Sequence, residues 1–438
     1  MMNFESDLFQ YYIQSDPALA EHYEIIEILT EEQKHLILKR MSMDIASVFR
    51  QLGKDTKADL IRDCNSLRYI KQCLAHAEHK EFKVSYCKDR YCPICSHLKA
   101  HKQTQMLHTI LESMQKDNNY KNSYLIFVTL TKKNVTVGEL AKSVDDTTKA
   151  LNKLLKNDPI FKSFKTKKKT NGATVINKPL CQGVIIKKEC TAEYKTKRSR
   201  IEFNDHVHLL MMVRKDYWNR VSKQWTHKKL GKRWKELLNL DYTPVVWISL
   251  VKNGKLVSDK QKEYQDINPK EAKKQKNNLE HLDSSGALKE IGKYEAKESD
   301  MLPMSKDEEG NISINWADAK TILNELYIAY HRRRTLSYTG EFKKQKERLF
   351  GKNEAEDLIK DIDGDELIDL FRRNTCRKCG APVEEQLQKY GGKTKNYYNL
   401  SKESLERYKE GQNNIINDLV KRAKNKKSDV SSQPTSDD

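Results

Sequence analysis

The chain is poor in glycine and proline, with 16 and 9 among 438 residues, and it contains no apolar run of 18 residues. Scarce helix breakers beside Lys/Glu-rich runs predict considerable helix. The missing apolar run excludes a membrane-spanning helix. The opening residues, MMNFESDLFQYY, lack a basic stretch followed by an apolar one, so no secretory leader is expected and the protein is expected in the cytoplasm. Acidic residues are outnumbered, 62 against 81 basic ones, which leaves a formal charge of +19. That excess favours a polyanionic partner, most often nucleic acid, although a basic surface can also serve solubility. The cysteine count, nine, is odd. An odd count in a chain without a leader points to metal ligation before a disulfide framework. Hydrophobic content of 37% still permits a sizeable core, and the length suits two or three domains.

The stretch FNDHVHLLMMV sets His206 and His208 two residues apart in an apolar run. In a strand both imidazoles project from one face, while Val207, Leu209, Met211 and Val213 take the other. Paired neutral imidazoles on a rigid strand suit a divalent metal; two histidines in a half-buried strand are the plainer alternative. Upstream, CQGVIIKKECTAEYK is a strand candidate carrying Glu189. If it pairs antiparallel with the histidine strand through the connector TKRSR, Glu189 reaches the same metal; otherwise it is a surface carboxylate.

Cys87, Cys92 and Cys95 form C-x4-C-x2-C in YCKDRYCPICSHLKAH, and CPIC is a tight knuckle that brings two thiolates onto one ion. A tetrahedral structural zinc needs a fourth ligand. Cys64 and Cys73 lie upstream, and His97 and His101 downstream. A strand–turn–strand over LRYIKQCLAHAEHKEFKVSYC would fold an upstream thiol back onto the knuckle. Lys88, Arg90 and Lys99 around it are available to phosphates. Cys376 and Cys379 sit in a lone CRKCG, without two further ligands nearby in sequence.

Elsewhere the reading is coarser. EEQKHLILKRMSMDIASVFRQL, TQMLHTILESMQ, VGELAKSVDDTTKALNKLLKN and WADAKTILNELYIAY have helical spacing. SYLIFVTLTKKNV is apolar on nearly both faces and predicts a central strand; TPVVWISLVKN predicts another. The basic run KSFKTKKKTNGATVINK is expected to be a loop that tracks a DNA backbone. Trp218, Trp225 and Trp234 are assigned to core packing in a helical stretch. Residues 255–285 are charged and expected to be flexible. GALKEIGKYEAKESD reads as helix, with Glu290 and Tyr294 on one face and Lys293 and Lys297 beside them, a pattern without meaning on its own. Arg332, Arg333 and Arg334 form a candidate phosphate clamp or an ordinary solvated corner. The expected organisation is a helical N-terminal region (1–60), a cysteine-rich zinc module (61–104), a main domain (105–345) and a charged, partly disordered C-terminal region (346–438).

FVTLT (127–131), GVIIKKECT (183–191), DHVHLLMMV (205–213), DYTPVVWISLVK (241–252), EIGKYEAKESD (290–300) and RRRTLSYTGEF (332–342) recur together and in this order in one family. Over residues 60–345 the chain resembles the rolling-circle plasmid replication initiators, a single-tyrosine branch of the HUH endonucleases. CKDRYCPIC (87–95) is similar to the cysteine cluster that precedes their catalytic region, and DCNSLRY favours Cys64 as the fourth zinc ligand. The resemblance implies an α+β fold with an HUH-type central antiparallel sheet flanked by helices, preceded by a helical and zinc-binding module. It implies a metal-dependent nick in one strand of plasmid double-strand origin DNA. Tyr294 would be the nucleophile, Mg²⁺ or Mn²⁺ would sit on His206, His208 and Glu189, and Glu290 would activate water at termination. Lys293, Lys297 and the three arginines would contact DNA, and single-stranded DNA, a host helicase and a DNA polymerase of a bacterial cytoplasm would be partners. An HUH transposase or relaxase shares this chemistry, and a non-enzymatic zinc-dependent DNA-binding regulator is a further alternative.

Overall fold

A computed structural model of the protein describes residues 8, 11–12, 31–120, 122–167, 174–195, 200–215, 217, 225–252, 255–256, 288, 291–292, 298–306, 309, 312–351 and 369–431. These residues fall into two compact units. One takes the described residues within Met1–Ile28, Ser47–Asp55 and Ser96–Leu358; the other takes those within Leu29–Ala46, Thr56–Cys95 and Ile359–Asp438. Among the described residues, no helix is long and apolar enough to cross a membrane. The chain is α+β, and the strand pairs among the described residues are all antiparallel.

The first unit is built on a seven-stranded sheet. Its order is Lys255–Leu256, Val246–Lys252, Ser123–Leu130, Arg200–Arg214, Cys181–Lys195 and Leu336–Tyr338, with Val135–Thr136 also paired to Arg200–Arg214. Ser123–Leu130 is buried along nearly its whole length, as its two apolar faces require. Alternation divides it: Ile126, Val128 and Leu130 enter one core and Leu125 and Phe127 the other. Arg200–Arg214 is divided in the same way. Val207, Leu209, Met211 and Val213 join the first core with Ala150, Leu151, Leu230 and Trp234, while Leu210 and Met212 join the second with Met106, Ile110, Leu288 and Ile291.

The flanking helices have recognisable ends. Pro93 opens the helix Pro93–Gln115, where its missing N–H costs nothing. Thr226 caps His227–Leu238 by accepting from the Lys229 N–H, and Asn239 closes it in the left-handed region at φ 54°. Trp234 is buried and donates its indole N–H to the Thr131 carbonyl at 3.0 Å, and Trp225 donates to Asp158 Oδ1 at 3.1 Å. Both are core residues, as expected; Trp218 lies outside the described residues. Most of the stretch 255–285 also lies outside them.

Two expectations change. The lysine-rich run at 162–178 is not simply a loop, because Phe164–Lys167 pairs with Thr174–Asn177 as a short hairpin. Backbone pairing needs only extended residues, and the lysines can point to water. Residues 383–399, read as part of a separate charged region, belong to the second unit's sheet. Its order is Asn396–Asn399, Val383–Gly391, Leu67–Cys73 and Lys80–Val84. Tyr69 stacks on Phe371 there, with ring centroids 4.5 Å apart, and packs with Leu370, Leu387 and Ile416.

One buried charge ties the sheet of the first unit to its helices. Asp205 is 3% exposed and accepts from Thr147 at 2.7 Å and Ser143 at 3.2 Å on Leu140–Asn157. Lys132 approaches the same carboxylate oxygen at 3.1 Å. Removing one member of a buried pair leaves the other charge uncompensated. Asp205→Ala is therefore expected to destabilise the protein by about 3–5 kcal/mol, read as a lower denaturant midpoint. An unchanged midpoint would refute this role for the carboxylate.

Candidate functional site

The two longest strands, Cys181–Lys195 and Arg200–Arg214, pair so that Glu189 stands directly opposite His206. His208, two residues on, projects from the same face. Both imidazole Nε2 atoms lie 3.6 Å from Glu189 Oε2. The rings stand nearly perpendicular, at 83°, with centroids 4.9 Å apart. All three side chains are about nine-tenths buried.

The far side of each ring is also held. The His206 Nδ1–H donates to the Asn204 carbonyl at 3.0 Å, which leaves the Nε2 lone pair facing Glu189. His208 Nδ1 lies 3.0 Å from Thr129 Oγ1, and Thr129 is its register partner on the central strand. Such outer contacts fix tautomer and ring orientation in metal sites. Glu189 Oε1 is buried and accepts no hydrogen bond among the described residues. Burial alone would raise the Glu189 carboxyl, but His206 and His208, with Lys187 nearby, bring it well below the usual carboxylate range. Burial opposes charge on His206 too, and Glu189 overrides it, raising that imidazole. The three ligand atoms lie within 4.8 Å of one another, and the set fits one divalent cation.

The cysteine expectations resolve through the hairpin Leu67–Cys73/Lys80–Val84. Cys64 precedes its first strand and Cys87 follows its second, so the pairing returns both to one end. The Cys87 N–H points at Cys64 Sγ at 3.5 Å. Cys64 and Cys87 lie 3.5 and 3.6 Å from Cys95 Sγ, and Cys92 completes a group of four. Contacts from Cys64, Cys87 and Cys95 pull the Cys92 thiol well below its ordinary value. The set could bind a metal such as zinc. Lys39 is buried beside it and donates to the carbonyls of Arg62 and Cys64 and to Ser66 Oγ. Burial pushes its ammonium down to about 8, with Cys64 and Cys92 opposing that shift. A buried cation there offsets the negative charge that four thiolates would bring. Cys73 lies at the other end of a seven-residue strand, about 20 Å away at ~3.3 Å per residue, and so does not belong to this group of four. Its sulfur is instead 3.5 Å from that of Cys379.

The remaining candidates divide. Glu290, Lys293, Tyr294 and Lys297 lie outside the described residues. Their described neighbours are well anchored. Leu288 and Ile291 are fully buried with Leu210 and Met212, on the sheet face that carries the two histidines. Gly292 lies against Thr104 so closely that a Cβ would overlap its hydroxyl. Beyond Tyr294, Glu298 lies 3.0 Å from His97 Nε2, and Asp300 accepts from the Ala192 N–H at 3.4 Å. Arg332 and Arg334 are exposed, whereas Arg333 pairs with Asp145 at 3.1 Å. Lys187, only 1% exposed and two residues before Glu189, is a buried cation that sequence reasoning missed, as is the Thr129 contact. Alternation along GVIIKKECT puts Lys187 and Glu189 on one face and could have flagged the lysine.

Residues 78–375, more than half of the chain, match the family described as Replication protein. The chain is similar to a "Protein rep" of Streptococcus pneumoniae serotype 2, 24% identical over 71% of this chain and 78% of the relative. It is similar to another "Protein rep" from Lactiplantibacillus plantarum, 23% identical over 78% of this chain and 88% of the relative. A third, from Staphylococcus aureus, is 27% identical over 58% of this chain and 87% of its own length. No solved structure matches. A match of this extent, over the segment that contains the glutamate and histidine strands, means that the chain belongs to the replication protein family.

Proposed function

We propose that the protein initiates rolling-circle replication of a plasmid as an HUH endonuclease, nicking one strand of the double-strand origin in a sequence-directed way. The observation that carries the reading is the buried Glu189–His206–His208 group, with both Nε2 atoms 3.6 Å from one carboxylate oxygen. It is supported by the burial of Leu288 and Ile291, just before Tyr294, in the core beneath the histidine-bearing face. Family membership and the +19 charge agree with a DNA partner.

Glu189, His206 and His208 would hold Mg²⁺ or Mn²⁺, which when bound polarises a phosphodiester oxygen and offsets charge on the phosphorus. Two nitrogen donors suit Mn²⁺ better than Mg²⁺, which prefers oxygen. The Tyr294 phenol would lose its proton and its oxygen would attack the scissile phosphorus. The bond to the 3′ oxygen breaks, that oxygen takes up a proton, and the 5′ phosphate stays on the tyrosine. The exchange conserves phosphodiester energy and frees a 3′-OH to prime synthesis. Glu290 would accept a proton from water at termination, so that hydrolysis ends the cycle. Lys293, Lys297, Arg332 and Arg334 would contact phosphates; Arg333 would have to leave Asp145 to join them. Cys64, Cys87, Cys92 and Cys95 would hold a structural zinc. A helicase of the host cytoplasm would unwind the duplex, and a host DNA polymerase would extend the 3′-OH primer.

The test is incubation with supercoiled origin DNA and Mn²⁺, followed by mapping of any peptide attached to a 5′ end. Tyr294→Phe is expected to abolish nicking and the adduct while DNA binding stays within about twofold. Nicking unaffected in Tyr294→Phe would remove this tyrosine as the nucleophile, and origin binding by the wild type with no nick or adduct would indicate a regulator without nuclease chemistry. Glu290→Ala is expected to nick at the normal rate and to leave the regenerated origin unhydrolysed at termination; equal loss of both steps would count against its role. Glu189→Gln removes the one anionic ligand and is expected to raise the Mn²⁺ concentration for half-maximal nicking at least about tenfold. An unchanged Mn²⁺ dependence would remove the carboxylate from the site.

A further inference from the structure

Four side chains outside the proposed catalytic site and outside the first cysteine cluster converge in the second unit. They are Cys73 at the end of its strand, His79 in the following turn, and Cys376 and Cys379 from CRKCG. Their ligand atoms all lie within 4.8 Å of one another. Cys73 and Cys379 sulfurs are 3.5 Å apart, and Cys376 Sγ is 3.6 Å from His79 Nδ1. Ligands about 2.0–2.3 Å from a central tetrahedral ion stand at such separations, whereas a disulfide needs about 2.05 Å. The spacings repeat the 3.5 and 3.6 Å of the Cys64–Cys87–Cys92–Cys95 group.

The backbone around Cys376 is shaped as a knuckle. Gly380 takes φ +74°, and its N–H returns to the Cys376 carbonyl at 2.8 Å. The Cys376 N–H donates to the Ala381 carbonyl at 2.7 Å, and Thr375 bridges Pro382. The N–H groups of Lys378 and Cys379 point at Cys376 Sγ, and that of Ala381 at Cys379 Sγ. Donors arranged in this way stabilise thiolates, and CPIC of the first cluster has a counterpart, the Cys95 N–H aimed at Cys92 Sγ. Glu78 lies 3.8 Å from His79 Nε2, on the side away from Cys376.

We propose that Cys73, His79, Cys376 and Cys379 form a second, structural zinc site that clasps the turn of the N-terminal hairpin to the CRKCG knuckle. All four positions are filled by protein, so no coordination site is left for substrate. The clasp joins residues 306 positions apart at the end of the pairing between Leu67–Cys73 and Val383–Gly391. It stands independently of the catalytic reading.

Zinc content of the purified full-length chain, measured by mass spectrometry, tests the proposal. Two zinc ions per chain are expected. Cys376→Ser with Cys379→Ser should leave one, held by the first cluster, and Cys92→Ser with Cys95→Ser should also leave one. His79→Cys, which keeps a donor, should retain two, and His76→Ala should retain two although His76 Nδ1 is 4.0 Å from Cys73. The His79→Cys variant separates loss of a ligand from loss of the fold. One zinc in the wild type, unchanged by the Cys376/Cys379 substitutions, would overturn the proposal. So would a Cys73–Cys379 disulfide found by peptide mapping of the native chain.

Discussion

The register between two fifteen-residue strands governs the catalytic proposal. Glu189 meets His206 because Cys181–Lys195 and Arg200–Arg214 run antiparallel without a shift over that stretch. A slip of one residue would turn the carboxylate to the opposite face. That slip is prevented by burial on both sides, since the histidine strand feeds one apolar core through Val207 and Leu209 and another through Leu210 and Met212. Thr129 on the central strand adds a second register constraint at His208. The polar group therefore borrows its order from the hydrophobic packing around it.

Charge inside the protein is handled by local compensation. Asp205 faces Lys132, Lys71 approaches Glu385 at 3.3 Å, and Lys39 satisfies its ammonium with three oxygens beside four cysteines. Glu189 differs. Its neighbours are two imidazoles whose other nitrogens are already engaged, and one of its oxygens accepts nothing among the described residues. An arrangement left partly unsatisfied in a dry setting costs stability and is retained where a ligand can complete it.

Much of this was legible in the sequence where chemistry follows a short period. The two faces of SYLIFVTL, the same-side histidines and the pairing of Glu189 with them all follow from alternation and a short connector. Cys64 and Cys73 could not be separated by spacing, because the hairpin's length decides which end each thiol reaches. The second cluster was hidden for a different reason: its halves are some 300 residues apart, and CRKCG alone offers only two donors. VEEQLQKYG reads as part of a charged tail because it is mostly polar, and only Leu387 and Tyr390 are buried within it. Its place comes from backbone pairing with Leu67–Cys73, which leaves little trace in composition.

The strand Leu67–Cys73 has a cysteine group beyond each end, so its length works as a ruler. A lost or gained residue within it would carry one thiol out of reach whichever end stayed fixed. The turn between Cys73 and His79 is similarly constrained by the side chains on either side of it. The far edge of this sheet, around the Gly391–Asn396 connection, carries no cysteine, so a change of length there would move neither group.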